Sequence, residues 1–316
     1  MRSQRLFVTI LLVLLLVGCT HSTPTLPPLV TNIPFTETPA QTPTLTPTSI
    51  MTPLPSKTPI PELLASPTPD LTDFESQMWF SSSPDGRWSA QTTAQFPTGS
   101  AGGSYYTQLA VSQTDGSFEW IIVDAWEEWG LGYTIPQVVQ WSHDGRYLYF
   151  TNRPVPDGCA VFVNGLDLHR FDLSDGSVTE LVPPAGLWLS LSPDETTLAY
   201  IGYAGRGLVI RDLATGTERE MPLSPGPDYQ AGHIVWSPDG AALALTLALR
   251  PCTINWADAT SIVYVNVVTM EQTTLLAEDR RLFITLEWAS ENRVLLRDND
   301  NSEWLLDVTT GHVTPQ

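Results

Sequence analysis

Trp236-Ser237-Pro238-Asp239-Gly240 is the clearest copy of a unit that this chain repeats. Ser82-Ser83-Pro84-Asp85-Gly86, Trp141-Ser142-His143-Asp144-Gly145 and Leu191-Ser192-Pro193-Asp194-Glu195 follow the same pattern, and Trp288-Ala289-Ser290-Glu291-Asn292 is a worn fifth copy. The acidic column is Asp85, Asp144, Asp194, Asp239 and Glu291, with spacings of 59, 50, 45 and 52 residues. A repeat of that length points to an array of similar supersecondary units.

Each unit follows one grammar. An apolar or aromatic strand enters the turn, and a second strand leaves it at once: Tyr147–Phe150, Thr197–Ile201, Ala242–Leu245 and Arg293–Leu296. After a variable loop comes a third strand, such as Leu208–Asp212 or Ile262–Asn266. A second tight turn then opens a fourth strand, at Asp115-Gly116, Asp175-Gly176, Thr215-Gly216, Thr269-Met270 and Thr310-Gly311. Asp-Gly and Thr-Gly supply the positive φ that short hairpins require. The chain therefore reads as all-β: a propeller of about five four-stranded blades, near 74–125, 135–183, 186–223, 231–277 and 282–316. The repeated Asp reads as a cap on its own turn, and Trp141, Trp236 and Trp288 read as wedges between blades. The short tail after Gly311 predicts a short last strand and leaves ring closure open.

These Pro-Asp-Gly turns resemble the WD40-like repeats of the TolB β-propeller family, over most of residues 76–316. The resemblance implies the fold and an interaction scaffold; it carries no catalytic residue onto this sequence. Two copies depart from the pattern, with Glu195 and Glu291-Asn292 where Gly or Asp-Gly is usual.

Ahead of the repeats lie two segments of different composition. Residues 1–19 hold Arg2 and Arg5, then an apolar run from Leu6 to Val17, then Gly18-Cys19. That run is short for a bilayer span and suits a signal peptide. Its end resembles the lipobox of bacterial lipoproteins, which implies acylation of Cys19 and a membrane anchor through that lipid on the extracytoplasmic side. Residues 20–72 contain 13 Pro and 14 Thr and read as a disordered stalk, without apolar residues enough for a core. Fully extended it spans at most about 160 Å. The domain reading is thus signal and lipobox 1–19, linker 20–72, and propeller 73–316.

Charge restricts the partners. The chain's net charge is −19, and setting aside Arg2, Arg5, Lys57, Glu37, Glu62 and Asp70 leaves 12 Arg against 31 acids in the body. Such a surface repels phosphate backbones, so nucleic acid is not an expected partner. No cofactor and no metal is expected: the five histidines are scattered without a ligand spacing. Asp298-Asn299-Asp300-Asn301 lacks the calcium-loop pattern, and no G-x-S-x-G elbow occurs.

In a propeller the two sets of tight turns share one face, and the long loops share the other. Function is expected on the long-loop face. Its richest patch is Trp126, Glu127, Glu128, Trp129 and Tyr133, with Tyr229 and Trp256 on other loops. Aromatics beside carboxylates suit a protein, peptide or glycan ligand. The competing reading has Trp126 and Trp129 folded back over the junction of the first two blades. Cys159 and Cys252 fall in loops of that same face, and in an exported protein they are expected to form a disulfide between the second and fourth blades; two separate buried thiols are the alternative. The expected function is a lipid-anchored binding module that is not an enzyme. A five-bladed glycoside-hydrolase-like enzyme, which needs two carboxylates at the channel, and a bare surface spacer are the alternatives.

Overall fold

A computed structural model describes residues 74–98, 103–128, 133–155, 159–203, 207–224, 228–252 and 256–316. The signal segment with Cys19 and the Pro/Thr-rich stalk lie outside the described residues, as does Trp129.

Five antiparallel meanders of four strands make up the body. Blade one holds β1 (Phe74–Ser82), β2 (Trp88–Pro97), β3 (Ser104–Gln113) and β4 (Glu119–Glu128). Blade two holds β5 (Thr134–Trp141), β6 (Tyr147–Pro154), β7 (Leu168–Asp172) and β8 (Ser177–Val182). Blade three holds β9 (Gly186–Leu191), β10 (Thr197–Gly202), β11 (Gly207–Asp212) and β12 (Glu218–Pro222). Blade four holds β13 (Tyr229–Trp236), β14 (Ala242–Leu249), β15 (Ala259–Asn266) and β16 (Gln272–Asp279). Blade five holds β17 (Ile284–Ser290), β18 (Arg293–Arg297), β19 (Glu303–Asp307) and the short β20 (Val313–Pro315). Both expected turn columns sit where the repeats place them.

The Ser-Pro-Asp-Gly turn is built by a relay that starts at its serine. The Ser237 hydroxyl donates to Asp239 Oδ1 at 2.6 Å and accepts the Ala242 N–H at 2.9 Å. Asp239 Oδ1 also accepts the Ala241 N–H at 3.0 Å. Ser83, Ser142 and Ser192 make the same pair of bonds, and all four serines are buried. Gly86, Gly145 and Gly240 take φ near +70°, and Glu195 takes +62° in the copy that lacks glycine. The worn fifth copy manages without a left-handed residue at Glu291 or Asn292; β17 instead carries two register shifts before Ser290 pairs with Arg293. Hydrogen bonds to these carboxylates favour the ionised form. Asp85 is held down to about 2, chiefly by the Arg87 backbone N–H and then by the Ser83 hydroxyl. Ser237→Ala removes the relay and strands the buried Ala242 N–H. It is expected to cost about 1–3 kcal/mol in urea unfolding. A cost below about 0.5 kcal/mol, less than a typical net hydrogen bond, would mean that the aspartate alone holds the turn.

Packing between blades follows from strand alternation, since each sheet has two apolar faces. Ala90, Leu109 and Val111 of blade one bury against Trp141, Leu148, Phe150 and Phe171 of blade two. Similar clusters join blades two and three, three and four, and four and five. The indoles of Trp141 and Trp236 reach back across a junction, donating to the carbonyls of Ser81 at 3.3 Å and Ser190 at 3.0 Å. Trp288 stays closer to its own turn and donates to the Glu291 carbonyl at 3.2 Å.

No such cluster joins blade five to blade one among the described residues. The face of blade one turned away from blade two carries Met78 at 55%, Phe80 at 66%, Ile121 at 54% and Trp126 at 41% exposure. No cluster of the described residues covers that face.

Candidate functional site

A cavity of about 730 Å³ runs along the inner strands of blades one and two. That volume lies within the usual range of small-molecule sites. Glu75, Gln77, Trp79 and Ser81 alternate along β1 and line one wall, backed by Thr92 of β2. Ile135, Pro136, Gln137, Val138 and Val139 of β5 line the other. Toward the long-loop end, the wall is completed by Phe96, Pro97, Tyr133, Arg153 and Val155.

Its aromatic end is rigid. The rings of Phe96, Tyr105 and Tyr133 contact one another, with centroids 4.8–6.2 Å apart. Tyr105 is fully buried; its hydroxyl donates to Glu127 in a very short bond and accepts the Thr134 N–H at 3.2 Å. Burial and the adjoining carboxylate push the Tyr105 phenol well above its ordinary value. This bond couples the end of β4 to the start of β5 and fixes Tyr133 at the cavity mouth. Trp79 stands on the opposite wall, 42% exposed.

Among the described residues, two charged side chains line the cavity, Glu75 and Arg153. Neither has a hydrogen-bond or ion-pair partner among the described residues. By contrast, Arg87, Arg146, Arg211, Arg250, Arg281 and Arg297 are each held by a carboxylate. Among the described residues no group of three or more His, Cys, Asp or Glu is placed to hold a metal ion.

The residues singled out on the long-loop face go to different places. β4 runs on to Glu128, so Trp126 and Glu127 are neighbouring strand residues with opposite directions, not members of one loop. Glu127 turns toward blade two and holds Tyr105. Trp126 turns the other way and packs on Phe74 and Tyr106, with ring centroids 5.7 and 5.2 Å away. Glu128 ends the strand opposite Ser104. Tyr133 lines the cavity. Tyr229 begins β13 and donates to Glu278 Oε1 at 3.0 Å. Trp256 donates to Asn299 Oδ1 at 3.2 Å and contacts Phe162.

Residues 159–164, between β6 and β7, form a second feature, a plug. Cys159 is disulfide-bonded to Cys252, with Cα atoms 4.8 Å apart, and so ties blade two to blade four. Beyond it, the backbone N–H groups of Val161 and Phe162 donate to Gln230 Oε1. Asn164 exchanges two 2.8 Å bonds with the backbone of Leu189. Phe162 is thereby buried between Trp188, His233 and Trp256. Gly232 permits this approach: a Cβ there would lie 2.4 Å from Phe162 Cβ. Burial among these rings pulls the His233 imidazole down to about 4. The plug packs on Leu189 of blade three and Gln230 of blade four, and none of its residues lines the cavity between blades one and two.

Sequence reasoning missed Trp79 and Arg153 because both lie within strands. Their signal was parity: Glu75, Gln77, Trp79 and Ser81 share one face of the innermost strand. It also missed the Asp/Asn column that ends the third strands. Asp172, Asp212, Asn266 and Asp307 each accept backbone N–H groups of the second tight turn.

No protein-family model matches this chain. No curated protein matches it either. Solved structures do. An oligogalacturonate lyase in complex with manganese is 15% identical, with 77% of this chain and 61% of that one covered and a TM-score of 0.43. An acylaminoacyl peptidase is 11% identical, with coverage of 75% and 39% and a TM-score of 0.45. TolB from Acinetobacter baumannii is 14% identical, with coverage of 76% and 63% and a TM-score of 0.37. The chain thus spans about three fifths of the lyase's length. TolB is thus among the solved structures that match, and the body itself has the five four-stranded antiparallel sheets expected of the propeller. The expectation that the chain is not an enzyme is corrected: proteins with related propellers include a lyase and a peptidase as well as TolB.

Proposed function

We propose that this chain is a ligand-binding propeller whose site is the cavity between blades one and two, and that its ligand is a glycan of the cell envelope. One observation carries the reading: a rigid aromatic mouth, an exposed indole and a set of amides and hydroxyls face one open cavity of about 730 Å³. Sugar rings present apolar C–H faces, which suit Trp79, Phe96 and Tyr133. Their hydroxyls suit Gln77, Gln137, Ser81 and Thr92, which both donate and accept. A site of this kind serves a binding module and a carbohydrate-processing enzyme alike. The decisive experiment presents the full chain to an array of envelope oligosaccharides and peptides beside Trp79→Ala. Trp79 is exposed, so the variant is expected to fold normally and to lose roughly tenfold or more in affinity for the retained oligosaccharides, as deletion of a central aromatic anchor does. Retention of peptides instead, or equal binding by the variant, would overturn the assignment.

In the same reading the body is held outside the cytoplasm by lipid on Cys19, with residues 20–72 as the stalk. Metabolic labelling with an alkyne fatty acid tests the anchor. Cys19→Ser is expected to lose all label and to move from the membrane to the soluble fraction. Label retained by the variant would refute lipidation at this cysteine.

A further inference from the structure

We infer that the ligand carries a carboxylate and that Arg153 receives it, a deepening that rests on the reading of the cavity as the binding site. Arg153 lies near the end of β6, opposite Ile135 of β5, at the same mouth as Tyr133 and Phe96. It is half-buried and unpaired among the described residues. The body carries 31 acids. Six described arginines are each held by a carboxylate within 3.0 Å; Arg153, Arg170, Arg219, Arg280 and Arg293 are not, and of these five it is Arg153 that lines the cavity. A guanidinium that faces a cavity without a carboxylate partner, in so acidic a protein, is suited to an anion from outside. Its planar fork matches a carboxylate bidentately, and desolvation in a cavity strengthens that bond.

Two observations restrict the anion to a single charge. Glu75 lines the same cavity, and the surrounding body is strongly negative. Both oppose a doubly charged phosphate more than a monoanion. The aromatic mouth and the amides then receive the neutral rings on either side. The inferred ligand is an acidic oligosaccharide, bound as its carboxylate.

The test is a paired array. Hexuronate- and sialate-containing oligosaccharides are displayed beside their carboxyl-reduced forms, which differ only in a hydroxymethyl group, with sulfated and phosphorylated members included. The wild-type full chain is expected to retain acidic members and to bind their reduced partners roughly tenfold or more weakly. Arg153→Gln is expected to lose about 10- to 100-fold on the acidic members and little on the reduced ones, and Arg153→Lys to recover part of the loss. Because Arg153 has no partner among the described residues, its variants are expected to melt with the wild type. Equal binding of acidic and reduced forms, or unchanged binding by Arg153→Gln, overturns the inference and leaves the glycan reading standing. Preference for sulfated or phosphorylated members overturns the carboxylate. Retention of no oligosaccharide at all overturns the glycan reading and this inference with it.

Discussion

Cys159→Ser/Cys252→Ser is expected to be about 4–5 kcal/mol less stable than the wild type in denaturant titration. The bond closes a loop of 93 residues, and cross-linking so long a loop removes that much conformational entropy from the unfolded chain. For a body of this size the change corresponds to a fall of roughly 10–15 °C in melting temperature. The folded state also loses a tether at the plug, whose remaining hold is Phe162 in its aromatic box and the Gln230 and Asn164 bonds. Reduction of the wild type with dithiothreitol should reproduce the effect. A difference under about 1 kcal/mol, far below the loop-closure value, would show that the plug and the blade junctions already restrain the chain without the bond.

Acidification from pH 7 to pH 4 is expected to cost about 3 kcal/mol through His233 alone. Its ordinary value is 6.5, and burial lowers it to about 4 in the fold. Below 6.5 the unfolded state takes up a proton that the folded state refuses, so stability falls as pH drops from 6.5 toward 4 and levels below that. Phe162 and Trp188 enclose the ring, and neither carries a charge that could form an ion pair with an imidazolium. The turn aspartates act in a lower window. Their folded values are depressed, so their contribution is present above the ordinary carboxylate value and is lost as pH falls through their folded values, about 2 for Asp85. The His233→Phe variant keeps the aromatic packing, and its stability should be flat between pH 7 and 4 relative to the wild type's slope. Parallel slopes in the two proteins would place the proton uptake on another group.

Much of the fold was legible because its punctuation is local. A Ser-Pro-Asp-Gly turn needs only its own few residues, and the relay from Ser237 through Asp239 uses nothing outside them. Four turns with this relay, the worn fifth copy and five Gly or Met turns punctuate the twenty strands. The disulfide was legible for a similar reason: both cysteines fall in loops of one face, and 4.8 Å between Cα atoms lets them meet.

The cavity was less legible because it depends on which way a strand residue points. Ending the first blade near residue 125 grouped Trp126 with Glu127 in one loop patch. The strand continues through both, and alternation sends them to opposite faces. Trp79 looked like one more apolar residue of a first strand. Its importance comes from the cavity it shares with β5 of blade two, a tertiary fact. Arg153 carried no motif, and its place on the cavity wall shows only once β5 and β6 are paired. The exposure of Met78, Phe80 and Ile121 was equally tertiary, and no turn sequence encodes it.

The central claim is that ligand enters between blades one and two. Methyl-resolved NMR of the full chain, labelled at Ile and Val, tests it most directly. On addition of the oligosaccharide retained most tightly by the array, the methyl signals of Ile135, Val138, Val139 and Val155 are expected to shift, and those of Val263, Val265 and Val294 in blades four and five to stay in place. Shifts centred on blades four and five, with the four cavity residues unmoved, would contradict the account.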